Sequence, residues 1–506
     1  MPVPRIRVVP TGSGARAVQV IWHYRDNRPV LDHLGSAHTV EDLALLKARA
    51  QRLIDERQPA LAIDPDAVGS AMTGSPQAPL AIVGERAGYL IDAIQAVYQR
   101  LGFVAATDGD EVFEHLVMAR IVHPGSTLDS IETLAEIGIS SASYATIKRR
   151  LPVYATPGFQ DRLTRACATR AGIGPGVLVL YDVTTLYFET DTADELRIPG
   201  YSKERRLEPQ ITVGLLSDQT GFPLAVAAFE GNKSEKLTMI PMIEQLQRTY
   251  DLTQVTVVAD AGMFSAANKQ AIVDAGLGYI LGTRHSQVPY PILRWRREHP
   301  EVDYVDGQVW TFKDRTGRGP EGIPHTVTYY QYSADRARRS RKGIAEQVRK
   351  AEDAVAGKTA VKRNRYVDLH RPTKTVNYEL AEKNTALAGI KGYETNLVDL
   401  DAPTVINAYR QLLLIEKAFR MSKSDLKARP VYHRTKDSID AHLTIVMAAM
   451  AVGHELEHHT GLSLRRLIRT LKRYRTFEVN VNGHTVHAAT PLPPDVQNLI
   501  QQIAET

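Results

Sequence analysis

Three carboxylates are set apart from the other acidic residues of this sequence by their positions. Asp182 follows the apolar run Val177-Leu178-Val179-Leu180-Tyr181, which reads as a buried strand, and Asp260 ends a second such run, Val255-Thr256-Val257-Val258-Ala259. Glu416 lies inside an amphipathic helical pattern, Leu412 to Arg420. A carboxylate at the end of a core strand costs on the order of several kcal/mol to desolvate unless something cationic meets it. Strand-end aspartates joined by a helical glutamate suit a pair of Mg²⁺ (or Mn²⁺) ions acting on a phosphodiester.

The patterns around these acids define the elements that must hold them. From Gly176 the chain turns to β: after the Asp182 strand, Ile211 to Leu216 and Leu224 to Phe229 flank a turn at Ser217 to Gly221, which makes a hairpin. A helix, Leu237 to Tyr250, leads to the Asp260 strand, and another, Ser265 to Ala275, leads to the strand Tyr279-Ile280-Leu281. Three strands followed by alternating helix and strand predict a mixed α/β sheet. Residues 285–385 read as a β-rich, basic insertion with one helix around Gly343 to Val355, after which the α/β pattern resumes with Gly392 to Leu400. In the Glu416 helix, Asp401 suits the N-cap and Pro403 the first turn. Tyr409, Glu416 and Lys423 are seven apart and predict one stripe over four turns, shared by Arg420. The alternative is an ordinary helix carrying an i,i+4 ion pair, worth a few tenths of a kcal/mol, about 0.3.

Composition allows nucleic-acid chemistry and narrows the alternatives. The chain has 506 residues, 43% hydrophobic and 24% charged, as in a globular protein with a substantial core. A single cysteine, Cys167, excludes an intramolecular disulfide framework and a multi-cysteine zinc ribbon. The first thirty residues lack an apolar signal segment, and the longest apolar stretch, Leu443 to Gly453, is short of a membrane span. A cytoplasmic, nucleoid-associated protein without a membrane partner is the expectation. Gln331 to Lys374 carries 13 Lys and Arg against 5 Asp and Glu, a net +8 in a chain whose total is +5. Within it Arg338, Arg339, Arg341 and Lys342 are the main candidates for DNA-backbone contact, with Lys362, Arg363 and Arg365 next. A second basic cluster runs from Arg465 to Arg475 with no acid between its members.

Six segments follow: an α+β region and linker over 1–80, a helical region over 81–171, a first core part over 172–284, the insertion over 285–385, a second core part over 386–460 and a basic C-terminal region over 461–506. Within 81–171, Leu128 to Ala135 is a short helix ended by Gly138. Ser140-Ser141 then caps a helix from Ser143 to Leu151 containing Lys148, Arg149 and Arg150. Helix, glycine turn and basic helix can present a recognition helix to DNA, as can many helical hairpins that do not.

The motifs resemble those of bacterial insertion-sequence DDE transposases. Tyr409-x2-Leu412-x3-Glu416-x6-Lys423 is similar to their Tyr-Arg-Glu-Lys signature, within Ile415 to Arg420, Lys423-Ser424, Leu426-x2-Arg429-Pro430-Val431 and a later His442. Tyr181-Asp182-Val183-Thr184-Thr185 resembles the first catalytic motif and Val258 to Gly262 the second. Gly221-x-Pro223-Leu224, Phe229-x-Gly231-Asn232 and Ser234-Glu235 resemble the intervening hairpin. Leu412 stands where the signature has arginine, with Arg410 or Arg420 as substitutes. The resemblance implies an RNase H-like core with the insertion ahead of the glutamate helix. It implies Asp182, Asp260 and Glu416 as catalytic metal ligands, and Tyr409, Arg420 and Lys423 as DNA contacts. It also implies double-stranded DNA as partner (terminal inverted repeats and target) and a homo-oligomer assembled on it. The expectation is that the three acids converge in one acidic pocket rimmed by Tyr409, Arg420 and Lys423, the two aspartates side by side.

Two other classes compete. A regulator descended from such an enzyme would bind DNA without cutting it. His454-Glu455-Leu456-Glu457-His458 satisfies the zinc-protease pattern H-E-x-x-H, but the extended form's last ligand position is Leu464. Trp310 is either a platform for a flipped base or a core tryptophan.

Overall fold

In the computed structural model of the chain, residues 4–505 are described apart from 13, 26–27, 58–73, 76–78, 174–176, 189–192, 201–207, 234–236, 251–254, 261–265, 315–325, 360–363, 369–373, 429–430, 432 and 482. Two compact units are present, residues 1–81 and 82–506. In the first, β1 (Arg5–Pro10), β2 (Arg16–Arg25) and β3 (Arg28–Ala37) form an antiparallel sheet covered by α1 (Val40–Arg57). Val18 and Val20 of the sheet pack on Ala50 and Ile54 of the helix. Most of the linker expected after this helix lies outside the described residues.

The second unit opens with β4 (Ala81–Arg86) and six helices: α2 (Gly88–Arg100), α3 (Phe103–Ala106), α4 (Glu111–Val122), α5 (Thr127–Glu136), α6 (Tyr144–Tyr154) and α7 (Pro157–Arg170). Their starts follow from side chains that satisfy free amides. Asp110 accepts from Val112 and Phe113 at α4, Ser126 and Asp129 form a capping box at α5, and Ser143 accepts from Thr146 at α6. The cap of α6 is therefore Ser143, not the Ser140-Ser141 pair, and the helix runs on through Pro152 to Tyr154.

The central sheet has eight strands: β5 (Val177–Tyr187), β6 (Gln210–Ser217), β7 (Pro223–Glu230), β8 (Val255–Ala259), β9 (Gly278–Thr283), β10 (Val309–Lys313), β11 (Val327–Tyr332) and β14 (Ile390–Thr395), in the order β10-β11-β14-β9-β8-β5-β6-β7. β5, β6 and β7 are antiparallel neighbours, whereas β8 and β9 run parallel to β5. Parallel neighbours need crossovers, supplied here by α8 (Met239–Tyr250) and α9 (Ala266–Asp274). The strand faces are apolar because helices cover them, and Val179, Leu180, Val257 and Val258 are fully buried.

Between β9 and β14 the chain forms α10 (Tyr290–Glu298), β10, β11, α11 (Ala334–Val355), the short pair β12 (Val367–Asp368) and β13 (Thr375–Val376), and α12 (Tyr378–Ala386). This segment is richer in helix than in strand, which corrects the β-rich reading. Its long basic helix begins at Ala334, nine residues ahead of Gly343, because Ser333 caps it. β10 and β11 extend the central sheet through β14. Beyond β14 come α13 (Ala402–Arg410), α14 (Leu412–Arg420), a π turn (Met421–Asp425) and α15 (Lys436–Thr460). The chain closes with α16 (Leu464–Leu471), the hairpin β15 (Thr476–Val481) and β16 (His484–Ala489), and α17 (Pro494–Ala504).

α15 is apolar all round and is buried continuously from Ala441 to Gly453, as such a helix must be. It packs against α2, α4 and α6 on one side and β7 on the other, so one hydrophobic core runs from Ala87 to Ile503. β15 pairs with β4, which ties residues 476–481 to 81–86 in one small sheet. The pattern changes at 171, 285, 385 and 460 thus fall inside a single compact unit. Among the described residues no helix is long and apolar enough to cross a membrane.

Candidate active site

The aspartates meet through strand register. β5 and β8 are parallel with Leu180 opposite Val258; Asp182 lies two residues further along β5 and Asp260 just past the end of β8, and both line one cavity. Neighbouring strands lie about 4.8 Å apart, so strand pairing brings the two aspartate-bearing segments together although 78 residues separate the acids in sequence. The row continues, because β9 places Gly282 one step beyond the Ala259–Leu281 pair and β14 sets Tyr393 opposite Gly282. Asp182 accepts a 2.8 Å hydrogen bond from the amide of Val183.

Gly282 is the gap in that row, and Tyr409 fills it. The ring comes down from α13, and its hydroxyl donates to Asp260 Oδ1 at 2.6 Å. Tyr393 meets the ring edge-on at 5.1 Å between centroids, and Lys391 Nζ lies over its face at 4.2 Å. Burial and then the bond to Asp260 push the Tyr409 hydroxyl above its usual range, so it remains a donor. Burial also lowers the Lys391 ammonium below its usual range, against the attraction of Asp260 and Glu416.

Glu416 reaches the same space from α14, which packs on β5. Asp182, Asp260 and Glu416 line one cavity of about 850 Å³ together with Tyr409, Arg420 and Lys423. Its charge differs from the acidic pocket expected. Among the described residues, Arg284 beyond β9, Arg336 and Arg339 on α11, Lys391 on β14, and Arg410, Arg420 and Lys423 on the glutamate segment set seven cations against three carboxylates. Arg336, Arg339 and Lys391 come from elements distant in sequence from the acids, so counting charge near each acid could not reveal them, whereas Arg410, Arg420 and Lys423 lie beside Glu416. Lys391, inside the strand Ile390–Thr395, was the legible signal, since a lysine there needs a polar surface to face.

The glutamate segment is not one straight helix. Asp401 caps α13 through Thr404, as expected, but the helix breaks at Gln411 and tightens, with the Leu414 amide bonding Gln411 O. After Arg420 a π turn follows, closed by Leu426 N to Met421 O at 2.9 Å. Tyr409, Glu416 and Lys423 therefore leave the ideal stripe: Tyr409 is buried over the sheet, while Glu416 is exposed to the cavity. Leu412 lines the cavity where arginine was expected, with Arg410 and Arg420 on the same wall.

The donor set fits a hard divalent ion in kind, since adjacent aspartate oxygens are what Mg²⁺ or Mn²⁺ prefers. Among the described residues, however, no three His, Cys, Asp or Glu side chains are gathered closely enough to hold a metal. Glu416 shares the cavity with the aspartates without forming such a group with them.

The remaining candidates lie elsewhere. Arg338, Arg341 and Lys342 are exposed on α11, Arg338 paired with Asp335 at 2.7 Å, and of the four named there only Arg339 reaches the cavity. Arg365 Nη2 donates to Asn384, and Lys362 and Arg363 fall outside the described residues. So do Ser234-Glu235, Ala261-Gly262 and Arg429-Pro430 of the family-like motifs. On α6, Lys148 and Arg149 are exposed, but Arg150 is committed to the buried carboxylate of Asp110. His442 is buried, its Nε2 donating to Ala428 O at 3.2 Å. Trp310 belongs to a small core with Ile292, Tyr330 and Tyr332.

The H-E-x-x-H residues are engaged in packing. Glu455 accepts from Arg170 at 2.7 Å and pairs with His459 at 3.2 Å. Burial pushes its carboxyl up, but His454 and Arg170 outweigh that and hold it at about 2. His454 Nε2 bonds Thr220 O in the β6–β7 turn. In the second basic cluster, Arg465, Lys472 and Arg475 pair with Asp425, Glu136 and Glu85, leaving Arg466, Arg469 and Arg473 on the outer face of α16 and just beyond it.

Against known proteins, a family model described as the transposase DDE domain matches residues 174–452, from just before β5 into α15. Among solved structures, the chain is similar to the cryo-EM structure of a piggyBac transposase synaptic complex with hairpin DNA. That match has 11% identity over 76% of this chain and 69% of the other, with a TM-score of 0.35. No curated protein matches.

Proposed function

The chain belongs to the transposase DDE domain family, and we propose that it is the transposase of a bacterial insertion sequence, cutting DNA at terminal inverted repeats and joining the freed end to target DNA. The observation that carries this reading is that Asp182 on β5 and Asp260 just past its parallel neighbour β8 line one cavity with Glu416. The order β7-β6-β5-β8-β9, antiparallel then parallel, supports an RNase H-like core.

Asp182 and Asp260 would hold divalent ions from adjacent strands, with Glu416 completing the set from α14. Bound Mg²⁺ or Mn²⁺ would supply Lewis-acid activation of the attacking and leaving oxygens of a phosphodiester. The chain's own residues do the rest. Tyr409 orients Asp260 by its hydrogen bond, and Gly282 gives Tyr409 the room to do so. Seven cations around three acids attract a DNA backbone and fix its phosphates over the aspartates. Arg410 and Arg420 supply the cationic contact that Leu412 cannot. Exposed Lys148 and Arg149 on α6 and the outer face of α11 extend the DNA-facing surface, and a homo-oligomer on paired ends completes the assembly.

The test is cleavage of DNA carrying the ends of the element that encodes the chain, with Mg²⁺. Asp182→Asn, Asp260→Asn and Glu416→Gln should each abolish cutting and leave end binding intact. A variant that cuts like the wild type removes its residue from the site. A wild-type chain that binds ends and never cuts them is instead a DNA-binding regulator.

A further inference from the structure

A second cavity, of about 390 Å³, lies away from the carboxylates between the C-terminal end of α2 and the outer face of α7. Among the described residues its charged lining consists of Arg100, Arg162, Arg165 and Arg170, with no acidic side chain on the wall. Two of these are committed elsewhere. Arg162 donates to Ala106 O at 2.8 Å and pairs with Asp108 at 3.3 Å, and Arg170 is held by Glu455. Arg165 is exposed, and its side chain has no hydrogen bond or ion pair among the described residues.

Arg100 decides the matter. Both terminal nitrogens of its guanidinium are buried and neither has a hydrogen-bond partner. A guanidinium cannot shed its proton to escape that cost, so the charge calls for an anion. Its place in the last turn of α2 explains a cation there, at the negative end of the helix dipole. Two of the final carbonyls of α2, those of Val97 and Gln99, are taken by the amides of Leu101 and Gly102. Glu455, in the adjoining recess that Arg100 also lines, already serves Arg170 and His459.

We propose that this arginine cavity is an oxyanion site for a phosphate group. Arg100 presents its two terminal nitrogens as a fork, the geometry that binds phosphate through parallel hydrogen bonds, and Arg165 closes over it from the rim. The phosphate is either a phosphodiester of bound DNA or a free phosphate. None of these residues lines the carboxylate cavity, so the site can be tested without any cleavage.

The full chain without added metal is compared with Arg100→Met, Arg100→Lys and Arg165→Ala. Arg165 is exposed, so its variant keeps the test open should an Arg100 variant fail to fold. Inorganic phosphate is titrated against chloride at constant ionic strength and the melting temperature followed; any contribution from the carboxylate cavity is common to all variants. In parallel, binding of a mixed-sequence duplex is measured against salt. If the site takes free phosphate, the phosphate-induced rise shrinks in Arg165→Ala and is lost in Arg100→Met. Arg100→Lys, which keeps the charge but not the fork, recovers only part of it. If it takes a DNA phosphate, Arg100→Met and Arg165→Ala each flatten the slope of log affinity against log salt by about one. Variants that match the wild type in both measurements overturn the proposal.

Discussion

Replacing Gly282 with alanine should disarm Asp260 without touching a carboxylate. A methyl group at 282 would lie 2.4 Å from the Tyr409 hydroxyl oxygen, 2.8 Å from Cζ and 2.9 Å from Cε2. The ring has little room to retreat, with Tyr393 on its edge and Lys391 over its face. Overpacking of this kind costs about 1–3 kcal/mol. Driving the hydroxyl away also breaks its bond to a carboxylate, worth about 1.5–3 kcal/mol, toward the low end here because Asp260 is exposed and water replaces part of it. Gly282→Ala should therefore destabilise the chain by about 2–4 kcal/mol, and Tyr409→Phe, which loses only the bond, by about 1–2. The closest contact is to the hydroxyl, so Gly282→Ala should cost at least ~1 kcal/mol less in the Tyr409→Phe background. Denaturant unfolding of the four chains without metal measures the coupling, and cleavage should fall in both single variants while DNA binding holds. Strict additivity, or a Gly282→Ala chain as stable as the wild type, would refute the argument that the glycine exists to seat Tyr409.

Two further expectations concern positions remote from the carboxylates. Arg150→Ala should lower stability by about 1–3 kcal/mol, because it removes the cation from the 4%-exposed carboxylate of Asp110 and leaves it only the α4 cap amides. Arg149→Ala should leave stability unchanged; equal melting temperatures for the two variants would return Arg150 to the DNA-facing set. Burial raises the Asp440 carboxyl from 3.8 to about 6, so between those values the native state holds a proton that the unfolded state has released. Stability contributed by Asp440 is thus present below that window and lost as pH rises through it. Asp440→Asn should remove that loss, and a urea midpoint that falls as much in the variant as in the wild type between about pH 4 and pH 7 would sink the assignment.

Some of this protein is determined locally and was legible in its sequence. The strands that carry Asp182 and lead to Asp260, the hairpin between them and the Asp401 cap follow from apolar runs, turn glycines and capping side chains, which act within a few residues, although Asp182 lies inside β5 and not at its end as expected. The apolar stretch at Leu443 likewise had to become a buried helix. Other features were decided only by tertiary packing. The break at Gln411 and the π turn after Arg420 arise where a helix must fit Tyr409 over Gly282 and Glu416 into the cavity, a demand no local pattern encodes. The cavity's cationic balance depends on α11 and β14 reaching the cavity of the aspartates, which brings in Arg336 and Lys391, 76 and 131 residues beyond Asp260. Arg150 looked like part of a basic helix end because charge is read from sequence, whereas its partner Asp110 is 40 residues away. Sequence fixes which side chains have chemistry to offer. Register and packing decide which of them meet, because strand pairing and core burial act between residues that the chain order keeps apart.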